Sequence, residues 1–262
     1  MEITLKGRNA LVCGASKGIG RAIATQFAEM GAHVTILARN EKELEKAHSG
    51  MDTSGGQTHD YIAADLSHPD MAAADVRRKI DDGRIYHILV NNSGGPAPGR
   101  AIDGKISEYE AGMRAHLFAS QLLARELVPG MKAEAYGRII NIISIGARQP
   151  VDNLGVSNTV RGAMRSWSKT ISAELGPYGI TVNNILPGHT DTERLRSLNN
   201  NNAEKEGISV NQFQARLQSK IPAGRFAKPE EPAYLAGFLA SDFAAFINGV
   251  SIPVDGGFLK CL

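Results

Sequence analysis

Cysteine is scarce: two of 262 residues, Cys13 inside an apolar run and Cys261 near the C-terminus. That excludes a disulfide scaffold and a cysteine-based zinc site, and it fits a reducing compartment; no metal is expected. Charge of one sign is lacking too. Lys+Arg 29 against Asp+Glu 27 leaves +2, too balanced for a surface that binds nucleic acid by electrostatics. No apolar run reaches the length of a membrane span. Residues 1–8 lack the basic-then-apolar layout of a secretion signal. Together these absences predict a cytoplasmic protein whose partner is a small molecule, not a nucleic acid or a membrane. Proline-rich linkers and composition breaks are missing as well, so residues 1–262 are expected to form one domain, large enough to fold without staples.

What is present is alternation. Short apolar runs at 10–13, 33–38, 61–64, 87–91, 138–144, 181–186 and 251–254 are separated mostly by 10- to 25-residue stretches of helical spacing. Strands nearly continuous in Val, Ile and Leu suit a parallel sheet covered on both faces. Right-handed crossovers then give an α/β fold, a doubly wound Rossmann-type sheet of about seven strands. Val156, Val160, Ala163, Met164, Trp167, Ile171 and Leu175 recur at steps of three or four, which predicts a helix with one apolar face, stopped at Gly176-Pro177. The polar stretch 191–220, with Asn199-Asn200-Asn201-Asn202, interrupts the alternation. It reads as a solvated loop or, from its place just past a strand's carboxyl end, as a substrate lid within an insertion at about 189–222.

The first strand runs into Gly14-Ala15-Ser16-Lys17-Gly18-Ile19-Gly20, and a helical pattern follows at once. Gly14 permits a tight turn, Gly18 a close approach to a diphosphate, and Gly20 close packing of helix on sheet. The spacing differs from Gly-x-Gly-x-x-Gly, but its place between strand and helix predicts a phosphate cradle. The second strand ends in Ala38-Arg39. A carboxylate there would grip a ribose 2′-hydroxyl; Arg39 and Lys17 instead suit a 2′-phosphate, favouring NADP(H) over NAD(H).

With Asp65-Leu66, Asn91-Asn92-Ser93-Gly94, Ser144, Pro187-Gly188 and Asp255-Gly256-Gly257 in that order, the whole chain resembles the short-chain dehydrogenase/reductase family. It is most similar in style to the 3-oxoacyl-carrier-protein reductases, through 221–226 and 254–257. The resemblance implies that Asp65 and Leu66 border the adenine, and that Asn91 and Gly94 line the ribose and nicotinamide path. It also implies that Pro187, Gly188 and Thr192 hold the nicotinamide end, and that subunits associate as a homo-oligomer, a dimer or tetramer. An apolar tail, Phe258-Leu259 to Leu262, is a candidate for docking on a neighbouring subunit.

The family's chemistry rests on Asn, Ser, Tyr and Lys. The serine is Ser144; thirteen residues on stands Ser157 where the family has tyrosine, and four further on Arg161 where it has lysine. His116 occupies the asparagine's place. An aliphatic hydroxyl is a much poorer acid than a phenol, and a guanidinium does not release its proton. Arg161 can still bind ribose hydroxyls and keep the site positive. His116, through Ser157 or water, is a candidate for the missing acid because imidazole titrates near neutral pH; Asp152 and His189 are weaker candidates. Arg148, Arg161 and His189 together predict an anionic substrate. The leading expectation is an NADP(H)-dependent oxidoreductase interconverting a small carbonyl compound and its alcohol, with Ser144 polarising the oxygen. Its competitors are a catalytically silent nucleotide-binding protein (sensor or inactive subunit) and a non-redox enzyme that uses the nucleotide structurally.

Overall fold

The computed structural model describes residues 3–261. Seven parallel strands form one sheet: β1 (Asn9–Cys13), β2 (His33–Ala38), β3 (His59–Ala63), β4 (Ile88–Asn91), β5 (Gly137–Ile142), β6 (Ile180–Pro187) and β7 (Ser251–Val254). Each lies within two residues of the run that predicts it. The order is β3-β2-β1-β4-β5-β6-β7. The chain winds outward from β1 in one direction and from β4 in the other, so the loops leaving these two neighbours part and open a crevice at the sheet's carboxyl edge.

Side-chain alternation explains why both faces are covered. Ala10, Val12, Val34, Ile36, Ile88, Val90 and Ile140 point to one core, shared with Ile23 and Phe27 of α1 (Gly18–Glu29) and with Ala236 and Leu239 of α9 (Glu230–Ala240). Leu11, Cys13, Leu37, Leu89, Ile139 and Val182 point to the other. There they meet Val76 of α3 (Pro69–Asp81), Leu123 and Leu127 of α5 (Ala119–Ala133), and Trp167 of α6 (Gly155–Leu175). α2 (Glu41–Ser49) covers the β2 end and α4 (Ile106–Met113) leads into α5 through a wide π-helical turn, Arg114–Phe118. The predicted apolar face of α6 packs inward, with Val160 fully buried.

On that second face the carboxyl end of the sheet is polar. Asn91, Asn141, Asn184 and Ser251 lie side by side in register across β4 to β7. Asn91 Nδ2 donates to Asn141 Oδ1 (2.8 Å), Asn141 Nδ2 to Asn184 Oδ1 (3.0 Å), and Asn184 Nδ2 to Ser251 Oγ (3.1 Å).

The stretch 191–220 is not an irregular loop. It folds as two helices, α7 (Glu193–Glu206) and α8 (Val210–Gln218). Thr192 caps the first by accepting from Leu195 N, and Ser209 with Gln212 forms a capping box for the second. In the apolar tail, Phe258 and Leu259 are half-buried against the cluster of Ile143, Ile145, Met164 and Leu186, and Leu262 lies outside the described residues. Among the described residues no helix is long and apolar enough to cross a membrane.

Candidate active site

The turn after β1 is built for close approach. Gly14 sits at φ +58°, in the left-handed region, and a Cβ there would stand 2.7 Å from both the side-chain amide and the carbonyl of Asn92. A Cβ on Gly20 would strike the Gly14 carbonyl oxygen. Asn92 Nδ2 donates to the Cys13 and Gly14 carbonyls, each at 3.2 Å, and so ties the β1 turn to the β4 turn. Lys17 is the N-cap of α1 and gives its first turn no side-chain bond. The N–H groups there stay free for an anion, with Ser16 and Ile19 flanking them. Such a cradle fits a dinucleotide's diphosphate.

At the other end of the crevice Arg39 is well exposed, its Nη1 3.9 Å from Asp65 Oδ2. Asp65 accepts from Ser67 N (2.9 Å), which fixes the turn carrying Leu66. Lys17 Nζ reaches Glu193 Oε2 (3.2 Å) and Glu43 Oε2 (4.0 Å). Exposed pairs of this kind hold weakly, so both cations can be taken over by a more strongly charged partner.

The reacting end is a cleft of about 630 Å³ whose walls include Ile19, Ser144, Ser157, Arg161, Pro187, Gly188, His189 and Thr192. Ser144 ends β5's extension as the cap of a short turn; its Oγ accepts from Gly146 N (3.0 Å), leaving its own proton free to donate. Ser157, on the first turn of α6, has no protein partner for its hydroxyl among the described residues. Arg161, one helical turn on, is 8% exposed and donates from Nη1 to the Ile142 carbonyl (2.9 Å), while its Nε is buried without a partner among the described residues. Burial and the nearby Arg194 push its pKa down to about 10.

His116 lies one layer back. It lines a small chamber with Leu66, Asn91, Ser93 and the inner side of Arg161, and it is not part of the wide cleft's wall. Its Nδ1 is 2.6 Å from Ser93 Oγ. Burial, reinforced by the positive charges of Arg161 and Arg194, holds its pKa well below the ordinary 6.5. The ring is neutral in the folded protein. Asn91 is likewise turned away, its side-chain amide committed to Asn141. The exposed Gly94 follows Ser93 on the same loop.

The three groups expected to attract an anion do not act together. Arg161 faces the cleft; Arg148 is not among its walls. His189 is there, but burial and Lys220 lower its pKa, and it packs between Phe226 and Phe258 as a neutral ring with Nδ1 unpartnered. Beside Arg161, the positive charge comes from residues that spacing does not single out, Arg194 and Lys220, on or beside α7 and α8; Arg216 also lines the cleft but is paired with Glu206. Asp152, the other weak proton-donor candidate, also lines this cleft. Arg194 Nη1 and Nη2 donate to the carbonyls of Gly95 and Pro96, each at 2.9 Å. Thr192 stands over the glycine turn, 3.3 Å from where a Gly18 Cβ would be.

The sequence profile described as enoyl-(acyl carrier protein) reductase matches residues 14–259. The NADPH-dependent reductase BacG of Bacillus subtilis is 32% identical over 257 residues, covering 97% of this chain and 99% of that one. A 3-oxoacyl-[acyl-carrier-protein] reductase of Pseudomonas aeruginosa is 32% identical over 258 residues, covering 97% and 98%. Among solved structures, L-sorbose reductase from Gluconobacter frateurii, complexed with NADPH and L-sorbose, superposes with a TM-score of 0.94 at 32% identity, covering all of both chains.

Proposed function

Since the chain belongs to the short-chain dehydrogenase/reductase family, in its 3-oxoacyl-carrier-protein reductase-like branch, we propose that it is an NADP(H)-dependent oxidoreductase interconverting a small carbonyl compound and its alcohol. The observation that carries this reading is the glycine turn at the switch point, closed to any side chain at positions 14 and 20 and open to a diphosphate. Arg39 and Lys17, with no carboxylate at the end of β2, favour the 2′-phosphorylated coenzyme. When bound, the nicotinamide supplies or accepts the hydride.

Ser144 donates a hydrogen bond to the substrate oxygen, and Ser157 offers a second one from the adjacent wall. Ser157 and Arg161 stand in for the family's tyrosine and lysine, so no phenol releases a proton here. Arg161 orders the ribose end and keeps the cleft positive. His116, neutral and behind Arg161, positions the Ser93-Gly94 turn and does not supply the proton. That proton reaches the oxygen from water through the two serine hydroxyls. General acid catalysis typically contributes about 10²–10⁴-fold, so turnover is slow. The excess of cations in the cleft favours an anionic substrate. Helices α7 and α8 form the lid of a single nucleotide-binding domain. A cytoplasmic setting and a homo-oligomer, a dimer or tetramer using the open edge of β7, belong to the same proposal.

The altered pair also favours a second reading, a nucleotide-binding protein without turnover. One series separates the two. NADPH binding tighter than NADH binding, with slow oxidation across a carbonyl panel that falls further in Ser144→Ala, supports the enzyme. Binding with no turnover supports the silent protein, and no binding of either coenzyme at millimolar concentration defeats both.

A further inference from the structure

Two guanidinium groups, Arg161 and Arg194, line one cleft. Arg161 rises from α6, buried, with Nε unpartnered. Arg194 comes from the lid, on the first turn of α7. Neither reaches a carboxylate within ion-pair distance among the described residues. The charge of Arg194 is near enough to help depress the pKa of Arg161. Lys220 adds a further cation to the wall, Arg216 is neutralised by Glu206 (2.5 Å), and Asp152 is a lone carboxylate there. Positive charge therefore remains in excess.

The seat of Arg194 is specific. Its two terminal nitrogens take the carbonyls of Gly95 and Pro96 at equal distance, and a Cβ at residue 95 would lie only 2.8 Å from Nη2. A guanidinium fork matches the two oxygens of a carboxylate, and charge-assisted bonds of this type are about twice as strong as those to neutral acceptors. Two backbone carbonyls thus hold the fork at the cleft without satisfying its charge.

We propose that Arg194 is the specificity-determining residue of the lid: it exchanges the Gly95 and Pro96 carbonyls for the carboxylate of an oxo acid or hydroxy acid, which then lies between Arg194 and Arg161. This rests on the reading of the cleft as a carbonyl/alcohol site and names its substrate class. Binding of the acid and seating of α7 are one event, because the residue that reads the charge belongs to the helix that covers it.

The test uses the full chain with NADPH, and 2-oxobutyrate beside its methyl ester. The acid is expected to have a KM at least tenfold below that of the ester. In Arg194→Gln this ratio falls toward one while the dissociation constant of NADPH changes less than twofold, and Arg194→Lys recovers part of it. An equal KM for acid and ester in the unaltered protein, or an unchanged ratio in Arg194→Gln, overturns the proposal. A second arm needs no turnover: calorimetry of the NADPH-loaded protein with butyrate and with butyramide. Binding of butyrate at least tenfold tighter, lost in Arg194→Gln, supports the proposal, and equal or absent binding of the two overturns it. Absence of turnover with every carbonyl defeats the parent reading alone, while the calorimetric arm still decides the role of Arg194.

Discussion

His116 shows how burial decides what a side chain does. An imidazole in water takes up a proton near pH 6.5; this one, sealed behind Arg161 and Ser93, refuses it until well below that. The unfolded chain therefore binds a proton that the folded chain does not as pH drops below 6.5, and stability falls with pH in that window. For one proton the slope is at most about 1.4 kcal/mol per pH unit. His59, His87 and His189, whose pKa values burial also lowers, add to the same slope. Urea unfolding at pH 7 and pH 5.5 should show His116→Gln losing less stability between the two than the unaltered protein. An identical loss would mean that the native ring charges after all. Sequence order alone singled this residue out; the structure sets it one layer behind the cleft, and its neutrality depends on neighbours from the β4 turn, α6 and α7, which only the fold assembles.

At the scale of elements the stretch 191–220 carries the clearest difference between sequence and structure. α7 carries Asn199 to Asn202 in its middle, and asparagine is about 0.5 kcal/mol or more less favourable there than alanine. Asn199 is buried, but Asn200 and Asn201 are exposed, so their cost is not offset by packing. Replacing both with alanine should stabilise the helix by roughly 1 kcal/mol and slow amide exchange across 193–206, read by mass spectrometry; unchanged exchange would contradict a marginal helix. This composition is why the stretch reads as a loop: four asparagines in a row show no apolar period. The signal that was legible lies at its borders, where Thr192 and the Ser209-Gln212 pair have the chemistry of helix caps. The strands and α6 were legible throughout, because burial on both sheet faces forces runs of Val, Ile and Leu, and one apolar face forces the spacing from Val156 to Trp167. Arg194 was not. Its partner carbonyls lie 98 and 99 residues away in the chain, and no local pattern encodes a bond to backbone.

For the molecule as a whole, the asparagine row across β4 to β7 joins the half of the sheet that carries Ser144 and Pro187. Asn141, fully buried, is its hub, bonded to Asn91, Asn184 and Ser168. Asn141→Leu keeps the branched shape but strands three buried polar groups, each costing about 1–3 kcal/mol. A drop in Tm of roughly 10 °C or more is expected by calorimetry; a change of under about 2 °C would show that the row is incidental. One property of the second core has a practical outcome. Cys13, sealed at the end of β1, has its thiol pushed up to about 12 by burial, so almost none of it is thiolate at neutral pH. Cys261 is exposed. A maleimide dye added to the native protein should attach at a single position without any engineering, three residues from the phenyl ring of Phe258 that packs against His189, and so report optically on events in the crevice.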